Sequence, residues 1–167
     1  MDLQELARRV GEAMWATDTA SKDTMGMELV RCAPGSATLR MAVRELHLNG
    51  HRICHGGFIF TLADSTFAFA CNSRNKVTVA AGCSIEFLKP AQLGDVLTCV
   101  GVEQTLQGRH GIYDMQVSNQ RGEVVAMFRG KSATIQGTVI ADPRASLPAE
   151  GAVFSSGLPS GKTPEQP

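Results

Sequence analysis

The spacing of hydrophobic residues divides the chain into two helical segments and six extended ones. Near the amino terminus, apolar residues recur at the three- and four-residue intervals of an amphipathic helix. These residues are Leu3, Leu6, Ala7, Val10, Ala13 and Met14. A second stretch, Phe58–Cys71, is apolar almost all round. Because it is too long for a typical strand and too short to span a bilayer, it predicts a helix in the protein core.

Two short extended runs lie between these helices, and four longer runs follow the second helix. The first pair, Met27–Cys32 and Ala37–Val43, flanks the turn residues 33–36 and predicts a hairpin. Segments with turn chemistry separate the other four runs, which are Thr78–Leu88, Val96–Gln104, Ile112–Ser118 and Val124–Ile135. Because short turns join consecutive strands, we predict an antiparallel meander.

This order of elements predicts an α+β fold, in which an antiparallel sheet packs against the apolar helix. The polar, glycine-bearing segment 47–57 that precedes this helix is predicted to be a loop. A single sheet covers only one side of such a helix. Something else must cover the remainder, and a second copy of the chain is the simplest candidate.

The carboxyl-terminal segment differs in composition from the rest of the chain. From Ala141 onward Pro, Gly, Ser and Ala dominate and the periodicity ends, which predicts a disordered or loosely attached tail. A chain of 167 residues is near the size of one ordinary domain and can bury a core without disulfides or metals. We expect one domain over residues 1–138 and a flexible tail over residues 139–167.

Charge and cysteine usage exclude several classes of protein. The 16 Lys and Arg residues balance the 16 Asp and Glu residues, so neither nucleic acid nor an acidic membrane surface is an expected partner. A small anionic ligand held by a few local cations is still compatible with this balance. The cysteines are odd in number and lie in apolar runs, which favours buried, reduced thiols. They are Cys32, Cys54, Cys71, Cys83 and Cys99.

The amino terminus gives no sign of export. It lacks the basic and apolar regions of a signal peptide, and no apolar stretch in the chain reaches the roughly 18 residues of a membrane span. Reduced thiols point the same way, since disulfides form in oxidising compartments. We therefore expect a cytoplasmic protein without a membrane partner.

Asp64 is the first candidate for chemistry, because it lies in the middle of the apolar helix. Burying an isolated carboxylate costs several kcal/mol or raises its pKa above about 3.9. Such a residue is paired, hydrogen-bonded or functional. For this residue alone, a structural carboxylate that faces a water-filled groove or a backbone group is as good an interpretation as a catalytic one.

The second candidate is the run His55-Gly56-Gly57, directly before the helix. Two glycines leave backbone N–H groups uncovered at the positive end of a helix, which suits a developing oxyanion or an anionic ligand. A loop-to-helix turn that needs small residues is the commoner explanation of a lone glycine pair.

A zinc site is a third interpretation. Four residues of zinc-binding types fall within one short segment: His47, His51, Cys54 and His55. The spacing of the first two histidines suits a helix, but the intervening Leu-Asn-Gly does not. Polar loop histidines explain the cluster more simply, so no metal and no other cofactor is expected.

Motifs along the chain, taken in order, resemble those of the phenylacetic acid degradation (PaaI) hotdog thioesterases. The main motif spans residues 49–64 and reads Asn-Gly-His-Arg-Ile-Cys-His-Gly-Gly-Phe-Ile-Phe-Thr-Leu-Ala-Asp. Further matches are Phe67-Ala68, Cys71-Asn72-Ser73, Ile85-Glu86-Phe87-Leu88-Lys89-Pro90-Ala91, Gly94-Asp95, Gly111-Ile112-Tyr113-Asp114 and Phe128-Arg129-Gly130-Lys131-Ser132. The resemblance covers about Leu3 to Gln136 and excludes the tail.

The resemblance implies a hotdog fold in which the sheet wraps the central helix, and a homodimer in which two sheets join edge to edge. Dimers then pair into a homotetramer. The implied activity is hydrolysis of acyl-CoA thioesters, with phenylacetyl-type groups as the expected acyl class. Aromatic residues of the core helix could line a slot for such a group, although they more often serve packing.

The resemblance also assigns roles to individual residues. Asp64 is implied to be nucleophile or general base, the Gly56 N–H to be the oxyanion donor, and Asn49 to orient the thioester or the water. His55, which adjoins the oxyanion donor, completes the candidate catalytic set. The candidate substrate-binding residues are Gly57, Phe58, Phe60 and Ser84.

A hydroxyl that positions the attacking water in related hotdog thioesterases is missing from the matching positions 80–82, which are Ala, Ala and Gly. Ser84 or Thr78 is the nearest substitute on that strand. Direct attack by Asp64 through a mixed anhydride is the other route.

The spacing of Gly56 and Asp64 adds an inference of its own. The two residues are eight positions apart, so on one helix they are separated by roughly 12 Å at 1.5 Å per residue. One thioester carbonyl cannot touch both, because catalytic contacts run at about 3 Å. Gly56 of one subunit is therefore expected to meet Asp64 of another across a dimer axis.

Two other functions suit the same fold. A hydratase or dehydratase acting on acyl thioesters needs a histidine near its carboxylate, and no histidine follows Asp64 until His110. A non-catalytic acyl-CoA-binding protein has no use for a buried carboxylate that faces the thioester.

Overall fold

We describe residues 1–141 of the chain in a computed structural model. The helices are α1 (Leu3–Thr17) and α2 (Gly56–Asn72). The strands are β1 (Met27–Ala33), β2 (Ser36–Ala42), β3 (Thr78–Phe87), β4 (Val96–Gln107), β5 (His110–Ser118) and β6 (Val124–Thr134). A short π-helix (Ala20–Thr24) and a 3₁₀ turn (Glu45–His47) lie in the connections. The predicted helices and strands are all present, with bounds that differ by a few residues at most.

Helix α1 begins where Asp2 caps it, since the Asp2 carboxylate accepts a hydrogen bond from the Glu5 N–H at 2.7 Å. Its buried face includes Leu6 and Val10 and packs against β1. A side chain at Gly11 would come within 2.7 Å of Cys32 Cβ, so glycine permits the close approach of helix and strand. In this way α1 covers β1 at one edge of the sheet.

The six strands form one antiparallel sheet in the order β1-β2-β4-β5-β6-β3. The predicted four-stranded meander is therefore only partly right: β4, β5 and β6 form it, but β3 pairs with β6 at the far edge. Residues 88–95 connect β3 to β4, which is not its neighbour in the sheet, instead of closing a hairpin. The Leu88 and Lys89 N–H groups donate to Val125 O, and the Gly94 N–H donates to Val43 O. Turn chemistry marks where a strand ends but not where the next one pairs.

The sheet wraps α2, and the core lies between them. Phe67 and Phe69 are about 1% exposed, and the close contact of Phe67 with β6 requires a glycine at position 130, where a Cβ would lie 2.8 Å from the ring. The predicted hotdog architecture is confirmed. In the single chain, one face of α2 is left partly exposed as an open stripe of residues spaced three or four positions apart. Its members are Gly57, Thr61, Asp64 and Ala68.

The chain after β6 is tied to the end of α2. The Asn75 side chain donates to Ile140 O at 3.1 Å and accepts from the Ile140 N–H at 2.9 Å. Ile140, which falls within the predicted tail, is thus hydrogen-bonded to the domain. The remainder of the predicted tail lies outside the described residues.

Four of the five cysteines are buried, as expected, and all five are free thiols. Cys83 is exposed, contrary to expectation, because it lies on β3, the strand at the open edge of the sheet. No helix within residues 1–141 is long and apolar enough to cross a membrane.

Candidate active site

The first turn of α2 leaves one backbone donor free. His55 is the N-cap residue, and its Nδ1 accepts a hydrogen bond from the Gly57 N–H at 2.9 Å. The His55 carbonyl accepts from the Phe58 N–H at 2.9 Å. In residues 1–141 the Gly56 N–H has no acceptor. Because helix N-termini carry partial positive charge, this free N–H is suited to a developing oxyanion.

Asn49 organises the loop that leads into the helix. Its Oδ1 accepts from the His51 N–H at 2.9 Å and from the Ile53 N–H at 3.4 Å, which closes a tight turn. Arg52 within this turn has a φ of 61°. The Asn49 side-chain NH₂ donates to no group in the described part of the chain, so it is available to a ligand.

His47 holds the same loop in place through hydrogen bonds to its backbone and a ring contact. It is fully buried, its Nδ1 accepts from the Arg44 N–H at 3.1 Å, and its carbonyl accepts from the His55 N–H at 2.8 Å. Its ring also lies against Phe58, with ring centroids 4.8 Å apart. Burial and the nearby Arg44 charge lower the pKa of His47, so the ring stays neutral and keeps its acceptor at physiological pH.

The zinc interpretation finds no support in this geometry. His47 is buried and hydrogen-bonded to the backbone, whereas His51 and His55 are exposed. Nowhere in the described 141 residues do three His, Cys, Asp or Glu side chains converge as metal ligands would.

Gly56 and Asn49 border a cavity of about 460 Å³. Its lining comes from the loop, the first turn of α2, the end of β3 and the segment that follows β3. The lining residues are Asn49, Ile53, Cys54, Gly56, Ile59, Phe87, Leu88, Lys89 and Pro90. The structure thus brings two predicted site residues to one mostly apolar cavity with a lysine beside it.

Asp64 lies on the open stripe of α2, two turns beyond Gly56. It is half-buried, makes no hydrogen bond within residues 1–141, and burial raises the pKa of its carboxyl. Rising by 1.5 Å per residue, the helix separates Asp64 from Gly56 by roughly 12 Å. The single chain therefore does not bring the two groups to one carbonyl.

The other predicted residues divide into two groups. Gly57 and Phe58 belong to the first turn of α2, whereas Phe60 packs against the core residue Phe128, with ring centroids 5.6 Å apart. Ser84 lies with Glu86 and Arg129 in a shallow surface depression of about 220 Å³, apart from the cavity at Gly56.

Thr78 is not a substitute for the missing hydroxyl in this chain. Its hydroxyl donates to Lys76 O at 2.9 Å, and its N–H donates to the Asn72 side chain at the opposite end of α2. No hydroxyl of β3 is therefore brought to Gly56.

Sequence reasoning missed the contribution of the segment after β3. Phe87 is more than half exposed, and a Cβ on Gly56 would lie 3.0 Å from its ring. Lys89 borders the same cavity and pairs with Glu123. The run 85–91 is one of the sequence motifs. Its position beside Gly56, however, depends on the pairing of β3 with β6, which local sequence does not reveal.

Comparison with known proteins identifies thioesterases among the relatives of this chain. The sequence profile of the thioesterase superfamily matches residues 51–126. Acyl-coenzyme A thioesterase PaaI of Escherichia coli is 42% identical over 127 residues, which are 76% of this chain and 90% of that protein.

Solved structures agree. The E. coli PaaI protein from the phenylacetic acid degradation operon superposes with a TM-score of 0.80 at 40% identity, covering 82% of this chain and 99% of that one. A Streptococcus mutans protein bound to acetyl CoA superposes with a TM-score of 0.64 at 28% identity, covering 67% of this chain and 90% of that one.

Proposed function

The chain belongs to the thioesterase superfamily, among the PaaI-type acyl-CoA thioesterases, and from this membership we propose that it hydrolyses acyl-CoA thioesters to a free acid and CoA. The observation that carries the proposal is the free Gly56 N–H at the start of α2, beside the Asn49 amide and a 460 Å³ cavity. A donor so placed can hold the oxyanion that forms when a thioester carbonyl is attacked. Because the PaaI relative comes from a phenylacetic acid degradation operon, phenylacetyl-type acyl groups are the proposed substrates of this chain.

Asp64 supplies the attacking group, either as a base for water or as the nucleophile. In the second route its carboxylate bonds to the carbonyl carbon, CoA leaves as a thiolate that takes up a proton, and water then cleaves the mixed anhydride. The lack of a hydroxyl at positions 80–82 favours this second route, since no side chain there holds a water. A raised pKa makes the ionised carboxylate a stronger base than an exposed one.

The active unit is a homodimer, and two features of the chain support this. Strand β3 is an unprotected edge, whose residues 79–84 are all exposed and uncharged. Such an edge pairs readily with another strand. The open stripe of α2 contains Asp64 among small residues, so a second helix can approach it closely. Antiparallel helices across the axis would bring Gly56 of one subunit to Asp64 of its partner.

The outward face of the sheet suits further assembly. Val100, Val102 and Met127 are 37–46% exposed there, and a second dimer would cover them in a homotetramer. A cytoplasmic location fits the five free thiols. Native mass spectrometry tests the assembly directly.

The test of the activity is release of free CoA from a panel of acyl-CoAs, followed with a thiol reagent. Wild-type protein is expected to release CoA, and Asp64→Asn to release less than a tenth as much per unit time. A hydratase would change the acyl chain without releasing thiol, and a binding protein would do neither. Either result with every acyl group on the panel would overturn the proposal.

A further inference from the structure

Two serine hydroxyls meet where the π-helix (Ala20–Thr24) lies against α2. Ser21 Oγ and Ser65 Oγ are 2.8 Å apart, and neither hydroxyl has another partner within residues 1–141. Ser65 directly follows Asp64 and lies one turn beyond Thr61, at the edge of the open stripe. Single π-helical turns are rare and frequently lie at functional sites. The pair is therefore a candidate for a role in the reaction at Asp64, as well as a contact that joins two helices.

The burial of the two serines decides which hydroxyl is the donor. The pair carries two protons, and the hydrogen bond between them uses only one. Ser21 is 2% exposed, whereas Ser65 is partly exposed. Because a buried proton without an acceptor is costly, Ser21 donates and Ser65 accepts. The free proton is then that of Ser65, on the more exposed side of the pair.

This free proton distinguishes Ser65 from the other two hydroxyl residues of α2. Thr61 and Thr66 each donate to the carbonyl four residues earlier in the helix, at 2.8 and 2.7 Å. The Ser65 hydroxyl makes no such bond in the part of the chain that the structure describes. The bond from Ser21 also restricts the directions in which the Ser65 proton can point. Ser65 is thus an oriented donor beside the residue that carries the attacking carboxylate.

We infer that the Ser65 hydroxyl, together with Asp64, holds the water that hydrolyses the substrate, an inference that rests on the proposed thioesterase function. Positions 80–82 of β3 offer no hydroxyl for this purpose. Asp64 and Ser65 are consecutive, about 100° apart around the helix axis. A water bonded to both side chains at about 2.8 Å can bridge oxygens up to roughly 5.6 Å apart. The helix thus supplies the hydroxyl that the strand lacks.

A water held in this way has its protons and lone pairs in defined directions. It donates one proton to the Asp64 carboxylate and accepts the Ser65 O–H on one lone pair, which leaves the other lone pair for the carbonyl carbon. With Asp64 as base, the C–O bond forms as the proton passes to Asp64, the C–S bond breaks, and the CoA thiolate takes up that proton. With Asp64 as nucleophile, the water attacks the mixed anhydride, the bond to Asp64 breaks, and a proton is released to solvent.

The test compares two variants that break the same hydrogen bond. Ser65→Ala and Ser21→Ala both remove the contact between the serines, but only Ser65→Ala removes the hydroxyl beside Asp64. Ser65→Ala is expected to lower kcat by about tenfold or more with KM little changed, whereas Ser21→Ala should lower kcat by less than about threefold. Ser65→Thr keeps a hydroxyl and should restore most of the loss. Equal losses in the two alanine variants, or no recovery with threonine, would mean that the pair only joins the helices.

An NMR titration separates this inference from the proposed function, because it needs no turnover. In protein with ¹³C-labelled aspartate, the Asp64 carboxyl signal is the one absent from Asp64→Asn. A hydroxyl that reaches the carboxylate through a water favours its ionised form, so Ser65→Ala should raise the pKa of Asp64 more than Ser21→Ala does. Equal pKa values in the two variants would overturn the inference. If the pKa difference is present and the wild type hydrolyses no acyl-CoA, only the thioesterase function is overturned.

Discussion

The imidazole Nδ1 of His55 accepts the backbone N–H of Gly57 at 2.9 Å, so His55 caps α2 while the preceding N–H, that of Gly56, stays free. The histidine thus satisfies one donor of the helix start and leaves uncovered the N–H that we propose as the oxyanion donor. Its role in this arrangement is structural, although it stands directly beside the oxyanion donor.

This role predicts a difference between two substitutions. His55→Ala removes the cap and should lower the free energy of unfolding by about 1 kcal/mol, whereas His55→Asn keeps an acceptor and should lose a few tenths at most. His55→Asn should also keep most of the thioesterase activity. Urea denaturation and CoA release measure the two effects. Equal loss of activity in both variants, with stability unchanged, would mean that the ring takes part in the chemistry.

The second prediction concerns Asp64 and pH. Burial raises its folded-state pKa above the ordinary value of 3.8, so the folded protein binds this proton more tightly than the unfolded chain does. Stability from this group is fully present below pH 3.8 and is lost as pH rises through the folded pKa. At pH 7 Asp64→Asn should therefore be more stable than wild type, by about 1.4 kcal/mol for each unit of pKa elevation.

Melting curves at several pH values test this prediction. The gain of Asp64→Asn over wild type should shrink as the pH falls towards 4. Asp23→Asn, at an exposed carboxylate of the π-helix, is the control and should change stability by less than about 0.5 kcal/mol at any pH. A variant less stable than wild type at pH 7 would mean that Asp64 has a stabilising partner. In the wild type, activity should fall with acid through a pKa higher than that of an exposed aspartate.

Much of the candidate site could be predicted from sequence. Asp64 is a candidate because a carboxylate in an apolar helix demands an explanation, and Gly56 is one because a glycine pair precedes that helix. What could not be predicted depends on non-local contacts. Met25 and Thr61, which are 36 positions apart in the sequence, border one cavity of about 280 Å³. The end of β3 reaches Gly56 only because that strand pairs with β6.

The cluster of zinc-binding residue types shows the same dependence on non-local structure. His47 is a metal ligand type near other such residues, but in the fold it turns inward and bonds to the backbone of Arg44. Spacing alone could not distinguish a metal ligand from a buried histidine that is hydrogen-bonded to the loop backbone.

The third prediction contrasts two buried hydroxyls. The Tyr113 hydroxyl donates to Glu103 at 2.8 Å, and Glu103 also pairs with Arg74 at the end of α2. Tyr113→Phe should therefore cost about 1.5–3 kcal/mol, the range for a hydrogen bond to a charged group. Ser132 Oγ is buried without a partner among residues 1–141, so Ser132→Ala should be neutral or slightly stabilising. Denaturant midpoints compare the two, and a larger loss for Ser132→Ala would contradict both assignments.

The fourth prediction tests whether active sites are shared between subunits. Asp64→Asn lacks the carboxylate, and Gly56→Pro lacks the oxyanion N–H while keeping a residue that suits the first position of a helix. A ring at position 56 would approach Phe87, but that side chain is more than half exposed and free to move. Each variant alone should be inactive. In a mixed dimer one site pairs both mutated positions, and the other pairs an intact Gly56 with an intact Asp64.

Mixing the two variants should restore a defined fraction of the wild-type activity. Unfolding and refolding equal amounts of the two variants gives mixed dimers as half of all dimers, each with one working site of two, so activity should return to roughly a quarter of the wild-type value. Asp64→Asn refolded with Asp64→Ala is the control and should recover nothing, because every site still lacks the carboxylate. Native mass spectrometry confirms that mixed dimers are present. If they are present and activity stays absent, each site is built within one chain, and the roughly 12 Å between Gly56 and Asp64 on one helix would then rule out their acting on the same carbonyl.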